Sequence, residues 1–232
     1  MTVERNVFSN KDKLAEALAD AVLDALNAGL DERGRAVLAV SGGSTPKRFF
    51  EVLAARDDVD WENVIITLVD ERWVDESSDR SNAALVKDHL LAGPAAVAQF
   101  VPLYAGGETP DAEAIARTNA RLAELPRPFD VVILGMGNDG HTASFFPGGD
   151  TLEAALGDDG PALAIRAPGA GEPRVTLTLP RVLDTRALYL HIEGDEKART
   201  LDKALETGPV ADMPVRAVLS QGHVPVSLYW CP

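Results

Sequence analysis

Apolar residues along the chain fall into two recurrent patterns, and their alternation predicts the fold class. Continuous apolar runs closed by glycine or a polar cluster occupy residues 35–41 (RAVLAVS), 61–70 (ending VIITLVD) and 129–134 (FDVVIL). Such runs fit strands buried on both faces of a sheet. Residues 174–179 (RVTLTL) alternate cleanly, and residues 188–192 and 224–230 read as further strands, with short ones at 2–8 and 101–104. Between these runs apolar positions recur at helical spacing. The first helix is expected over residues 11–28, capped by Ser9 or Asn10, with Leu14, Leu18, Val22 and Leu26 inward and Gly29 as its stop. Others are expected after Pro46 (Phe49, Phe50, Leu53), from Ser81 to Leu91, over 111–125, and after Gly194 with Ala198, Leu201 and Leu205 inward. The glycines and prolines between Pro147 and Pro173 mark loops. Strands alternating with helices predict an α/β three-layer sandwich around a mainly parallel sheet. No linker-like stretch divides it, so residues 1–232 read as one domain.

Composition narrows the function classes. The chain has 232 residues, 46% of them hydrophobic and 25% charged, enough for a sizeable core without staples. A net charge of −14 argues against a nucleic-acid partner, although 22 Lys and Arg leave room for a local cationic pocket. Cys231 is the only cysteine, so neither a disulfide framework nor a cysteine zinc site is available. The first residues lack a secretory pattern, and no apolar stretch approaches the roughly 20 residues of a membrane span. The expectation is a cytoplasmic protein with no membrane partner, a monomer or weak homo-oligomer.

Three strand ends carry the candidate chemistry. Ser41-Gly42-Gly43-Ser44-Thr45-Pro46 places two glycines before a helix, with Thr45 as N-cap and Pro46 at the first helical position. The free amides and the helix dipole would cradle a phosphate; without the lysine of a nucleotide-triphosphate loop, a phosphorylated metabolite is indicated. A tight strand-to-helix turn is the alternative. Asp70-Glu71-Arg72-Trp73 puts two acids and an arginine at a strand end, to position hydroxyls and phosphate or to form a solvated ion-paired loop. Gly135-Met136-Gly137-Asn138-Asp139-Gly140 formally matches a dinucleotide fingerprint, but no amphipathic helix follows it and Pro147 interrupts. Asp139 and His141 instead suit a carboxylate adjusting an imidazole for proton transfer. No histidine pair has metal-ligand spacing. Arg174 heads a strand, and Lys197 sits near a helix start, where a cation is unfavourable unless an anion is close or Asp195 or Glu196 pairs with it.

In order, SGGSTP, VDERWV, ILGMGNDGHTASFFPG and RVTLTLP…GDEKA resemble the glucosamine-6-phosphate isomerase/6-phosphogluconolactonase superfamily, on its lactonase branch, over nearly the whole chain. The resemblance implies an isomerase/phosphogluconolactonase-like α/β sandwich that hydrolyses a small-molecule sugar-phosphate lactone, without a cofactor or metal. His141 and Asp139 would be catalytic. Ser41, Gly42, Gly43, Ser44, Thr45, Asp70, Arg72, Arg174 and Lys197 would hold the substrate, and amides of the glycine-rich stretch would face the oxyanion. The isomerase branch follows its Asp-Gly-His with Asn-Glu, whose Glu serves ring opening; here Phe145 and Phe146 stand there. Related folds also serve as sugar-phosphate sensors in transcriptional regulators, but this chain shows neither a helix-turn-helix extension nor a basic patch.

Overall fold

The structure, a computed structural model, describes residues 3–158 and 160–232. Its centre is a seven-stranded sheet in which every neighbouring pair is parallel. The strands are β1 (Glu4–Val7), β2 (Ala36–Val40), β3 (Val64–Leu68), β5 (Gln99–Val101), β6 (Phe129–Leu134), β9 (Thr185–Glu193) and β10 (Val226–Cys231), in the spatial order β1-β10-β9-β6-β2-β3-β5. The three continuous apolar runs became β2, β3 and β6, side by side, with every residue buried. Each such Val, Leu or Ile contributes about 1.5–3 kcal/mol through burial, so the middle of the sheet is its most strongly held part. A second, antiparallel sheet joins β4 (Asp70–Arg72), β8 (Arg174–Leu177) and β7 (Ala162–Ile165) in the order β4-β8-β7.

The flanking helices are α1 (Lys11–Arg33), α2 (Lys47–Ala54), α3 (Asn82–His89), α4 (Ala112–Ala123), α5 (Leu152–Gly157), α6 (Leu179–Leu183), α7 (Asp195–Leu205) and α8 (Val215–Leu219). Asn10 caps α1 by accepting the Lys13 N–H at 3.0 Å. The helix does not stop at Gly29. It runs on to Gly34, whose left-handed backbone (φ 68°) closes it with an N–H bond to the Leu30 carbonyl at 2.8 Å. Gly29 is small for a different reason: a Cβ there would sit 2.1 Å from Asp130 Oδ1. That carboxylate is fully buried, accepts the Val37 N–H at 2.8 Å and pairs with Arg33, so it ties α1, β2 and β6 together.

Other expectations shift for physical reasons. The strand expected at 101–104 forms as Gln99–Val101, pairing β3 through Ile65 opposite Gln99. In α7 the inward stripe is Leu201 and Ala204, whereas Leu205 is 41% exposed at the helix end. The segment 148–173, expected as loop, contains α5 and β7, and the run 174–179 ends as a strand at Leu177 because Thr178 caps α6. Of the strand expected at 2–8, Thr2 lies outside the described residues.

Helix propensity and packing make opposite predictions at position 29. Propensity alone favours Ala over Gly by about 1 kcal/mol in a helix interior. The Asp130 clash should win: Gly29→Ala should lower stability by about 1–3 kcal/mol, read as a lower urea midpoint with unchanged slope. A raised midpoint would show that Asp130 does not require the glycine.

Candidate active site

The C-terminal ends of β2, β6 and β9, together with β4 and β8, surround a cavity of about 330 Å³. Parallel α/β sheets offer such a crevice where the strand order reverses, and here β2 and β6 are the neighbours whose connections leave in opposite directions. Ser41 fastens the two strand ends: its N–H and hydroxyl both donate to the Ile133 carbonyl, at 3.1 and 3.0 Å, and the hydroxyl accepts the Gly135 N–H at 3.0 Å. Ser41 therefore lines the cavity with its own polar groups committed. The N–H groups of Gly42, Gly43 and Ser44 have no partner among the described residues and stay available. Gly42 admits the Asn82 side chain, which a Cβ would meet at 1.9 Å, and Gly43 adopts φ 90°. Thr45 is not the N-cap. Pro46 takes that position, and the Thr45 hydroxyl accepts Lys197 Nζ at 3.2 Å.

β6 ends at Leu134, and the glycine-rich turn folds back so that Asp139 and His141 face each other. Asp139 Oδ1 lies 2.6 Å from His141 Nδ1 and also accepts the His141 N–H at 3.0 Å. Gly137 makes this contact possible, because a Cβ would fall 2.2 Å from the imidazole ring and 2.7 Å from Asp139 Oδ1. Burial acts to raise the Asp139 carboxyl, but the hydrogen bond and charge of His141 outweigh it and hold the group below the usual carboxylate range. An ionised Asp139 draws the imidazole proton to Nδ1 and leaves Nε2 as the basic nitrogen. The imidazole lines the cavity, while Asp139 opens onto a neighbouring cleft. The Phe146 ring stacks on the imidazole at 4.1 Å between centroids. The Gly135 N–H is bonded to the Ser41 hydroxyl, the Gly137 N–H to the His141 carbonyl and the Gly140 N–H to the Gly137 carbonyl, so these three amides of the glycine-rich stretch are already committed within the turn.

Residues 142–146 are pinned at both ends. Thr142 donates to the Gly135 carbonyl at 2.7 Å, and Ser144 donates to Asp70 Oδ2 at 2.6 Å. Between them Ala143 holds φ 47°, a strained value for a residue with a side chain, and lines the cavity. Of the acids at the β3 end, Asp70 lines the cavity with 6% exposure, whereas Glu71 is buried away from it. The Glu71 carboxylate accepts the N–H groups of Arg72, Asn82 and Ala83 at 2.7, 2.8 and 2.7 Å, capping α3 from outside. Burial pushes its carboxyl up to about 7 against those three bonds. Glu71 is thus neither the hydroxyl-positioning acid nor the solvated loop charge that the sequence allowed.

The cations converge. Antiparallel pairing sets Arg72 directly opposite Arg174, an unfavourable arrangement unless an anion joins them. Arg174 is 7% exposed; its Nη2 donates to the Ala170 carbonyl at 2.7 Å, and its Nη1 lies 3.7 Å from Asp70 Oδ2. Burial, Arg72 and Arg80 lower its pKa, opposed by Asp70 and Glu172. The buried Nε atoms of Arg72 and Arg174 have no partner among the described residues. Lys197 lines the same cavity and pairs with neither Asp195 nor Glu196. Sequence reading missed Asn82, Ala143 and His191 as cavity residues. Ser144, a lone hydroxyl before two phenylalanines, was missed as well; it is fully buried and does not line the cavity, but donates to Asp70, which does. Among the described residues no group of three or more His, Cys, Asp and Glu side chains is placed to hold a metal ion, and no helix is long and apolar enough to cross a membrane.

Comparison with known proteins agrees with this geometry. Residues 9–230 match the family described as glucosamine-6-phosphate isomerases/6-phosphogluconolactonase. The chain is 51% identical to a 6-phosphogluconolactonase of Rhizobium meliloti, covering 100% of both chains. It is 49% identical to one of Mesorhizobium japonicum, over 98% of this chain and 94% of the relative. The crystal structure of a 6-phosphogluconolactonase from Shewanella baltica superposes with a TM-score of 0.97 at 40% identity, covering 100% of this chain and 98% of that one. The fold, the ordered strand-end motifs and these full-length matches place the chain in the glucosamine-6-phosphate isomerase/6-phosphogluconolactonase family.

Proposed function

We propose that this chain hydrolyses 6-phospho-D-glucono-1,5-lactone to 6-phosphogluconate, a step of the oxidative pentose phosphate pathway. It is an enzyme of the carboxylic-ester hydrolase kind, as the names of its full-length relatives support. The observation that carries the reading is one cavity holding both an oriented imidazole, His141 on Asp139, and a cluster of cations, Arg72, Arg174 and Lys197. A phosphorylated lactone needs both: cations for its remote phosphate and a base for water at its carbonyl. Phe146 in place of a carboxylate favours hydrolysis over sugar isomerisation. We read the chain as one domain over residues 1–232 and as a cytoplasmic monomer or weak homo-oligomer.

The phosphate sits among the free amides of Gly42, Gly43 and Ser44, the Thr45 hydroxyl, Arg72, Arg174 and Lys197, relieving the repulsion between the two arginines. Asp70 accepts a sugar hydroxyl. Anchoring the far end fixes the lactone carbonyl before His141, which lowers the barrier through orientation. His141 Nε2 takes a proton from water as the water oxygen bonds to C1, and the carbonyl π pair moves onto its oxygen. The tetrahedral intermediate collapses: the carbonyl reforms, the bond from C1 to the ring oxygen breaks, and the imidazolium returns its proton to that oxygen. Asp139 stabilises the imidazolium between the two transfers.

General acid–base help of this kind is worth about 10² to 10⁴ in rate. His141→Ala should lower kcat by that factor while its unfolding curve stays that of the wild type; near-normal turnover would sink the assignment. Arg72→Ala should raise KM for the phosphorylated lactone about 10- to 100-fold, the range for a lost charged hydrogen bond. It should leave glucono-1,5-lactone, which has no phosphate, unaffected. An equal effect on both lactones would remove Arg72 from phosphate recognition.

A further inference from the structure

The two arginines that face each other across the small sheet are each hung on a loop carbonyl. Arg72 Nη1 donates to the Arg80 carbonyl, in the loop between β4 and α3. Arg174 Nη2 donates to the Ala170 carbonyl at 2.7 Å, in the loop between β7 and β8. A guanidinium on a long flexible stem keeps its aim only while its acceptor stays in place. The two loops are joined at two points. Beside the strands, the Trp73 N–H donates to the Pro173 carbonyl at 2.8 Å. Further out, Arg80 Nε and Nη2 donate to Glu172 Oε1 and Oε2, the second at 2.9 Å, in the two-pronged geometry that arginine and carboxylate share.

Neither Arg80 nor Glu172 lines the cavity, so whatever they do for a ligand there passes through other side chains. The hydrogen bonds of Arg80 outweigh burial and hold the Glu172 carboxyl down at about 2, so the pair is ionised at neutral pH. An ion pair this close to solvent adds little to global stability, but two bonds in one plane fix the loops locally. The two arginines depend on that to different degrees. Arg174 has further support, with Nη1 3.7 Å from Asp70 Oδ2 and its guanidinium 5.4 Å from the centre of the Phe146 ring. The Arg72 guanidinium makes no other hydrogen bond or ion pair among the described residues. Glu172 also carries a cost: its negative charge acts on Arg174, beside a pocket meant for an anion. By charge alone it would weaken phosphate binding, so its place there calls for a compensating gain in geometry.

We propose that Arg80 and Glu172 are positioning residues for phosphate recognition, a clasp that fixes the two loops whose carbonyls aim Arg72 and Arg174 at the substrate phosphate. This rests on the reading of those two arginines as phosphate ligands. The test is steady-state kinetics with 6-phosphogluconolactone and with glucono-1,5-lactone. Arg80→Ala and Glu172→Ala should each raise KM for the phosphorylated lactone about 3- to 10-fold, the range for one lost hydrogen bond. In both variants kcat should stay within about twofold of wild type, and glucono-1,5-lactone should be unaffected. The double variant should be no worse than the more affected single one, because both changes open the same clasp. Arg80→Lys keeps one charged hydrogen bond and should fall between wild type and Arg80→Ala. Glu172→Ala decides the matter by sign. Removing a negative charge beside the pocket would by itself lower KM, so a lowered or unchanged KM, or an equal loss on both lactones, would overturn the clasp. Should Arg72→Ala also leave KM unchanged, the phosphate reading falls with it; a raised KM in Arg72→Ala alone would remove only the clasp.

Discussion

The contact between Asp139 and the His141 imidazole depends on an empty space. Two residues apart on a turn, the side chains meet at 2.6 Å only because position 137 carries no Cβ; any side chain there would enter the imidazole ring. The rest of the site is arranged to hold that turn still. Ser41 binds the ends of β2 and β6, Thr142 returns to Gly135, and Ser144 bonds directly to Asp70, with Phe146 stacked on the imidazole. The strain at Ala143 is sustained by fastenings on either side. β6, on which this assembly stands, is buried along its whole length.

Electrostatics complement that geometry. A chain with a net charge of −14 concentrates Arg72, Arg174 and Lys197 around one cavity. The register of the small antiparallel sheet does this, by setting the two arginines opposite each other, while the β9–α7 turn supplies the lysine from the other side. Two facing guanidiniums and a half-buried ammonium are unfavourable in an empty pocket and favourable around a phosphate. On the proposed reading, placing the cost in the free protein would give selectivity for a phosphorylated ligand, since a neutral sugar lactone would not relieve it.

The centre of the fold was legible in the sequence because its signal is local. Continuous apolar runs located β2 and β6 to within one residue at each end and β3 to within three, since Trp61–Asn63 form a 3-10 turn before it, and the Asp139–His141 pair followed from two titratable residues at the end of the clearest run. What failed was set by distant neighbours. Gly29 read as a helix stop because a glycine required by Asp130, a hundred residues away, looks the same in sequence as one required by a turn. Glu71 read as a site acid because its partners, the first amides of α3, become its neighbours only through the fold. Thr45 read as a cap because nothing nearby in sequence reveals that Lys197 takes its hydroxyl. Helices α5, α6 and α8, each of five or six residues, are too short to show a period and exist through packing.

The claim at the centre of this account is that the cavity combines phosphate anchoring with water activation. The most direct measurement is lactone opening by the wild-type chain, with fresh 6-phosphogluconolactone supplied by a coupled dehydrogenase and the spontaneous rate subtracted, beside glucono-1,5-lactone under the same conditions. The account predicts fast enzymatic opening of the phosphorylated lactone and a kcat/KM at least about a hundredfold lower for the other, the worth of a lost phosphate anchor. No acceleration over the spontaneous rate, or equal acceleration of both lactones, would contradict it.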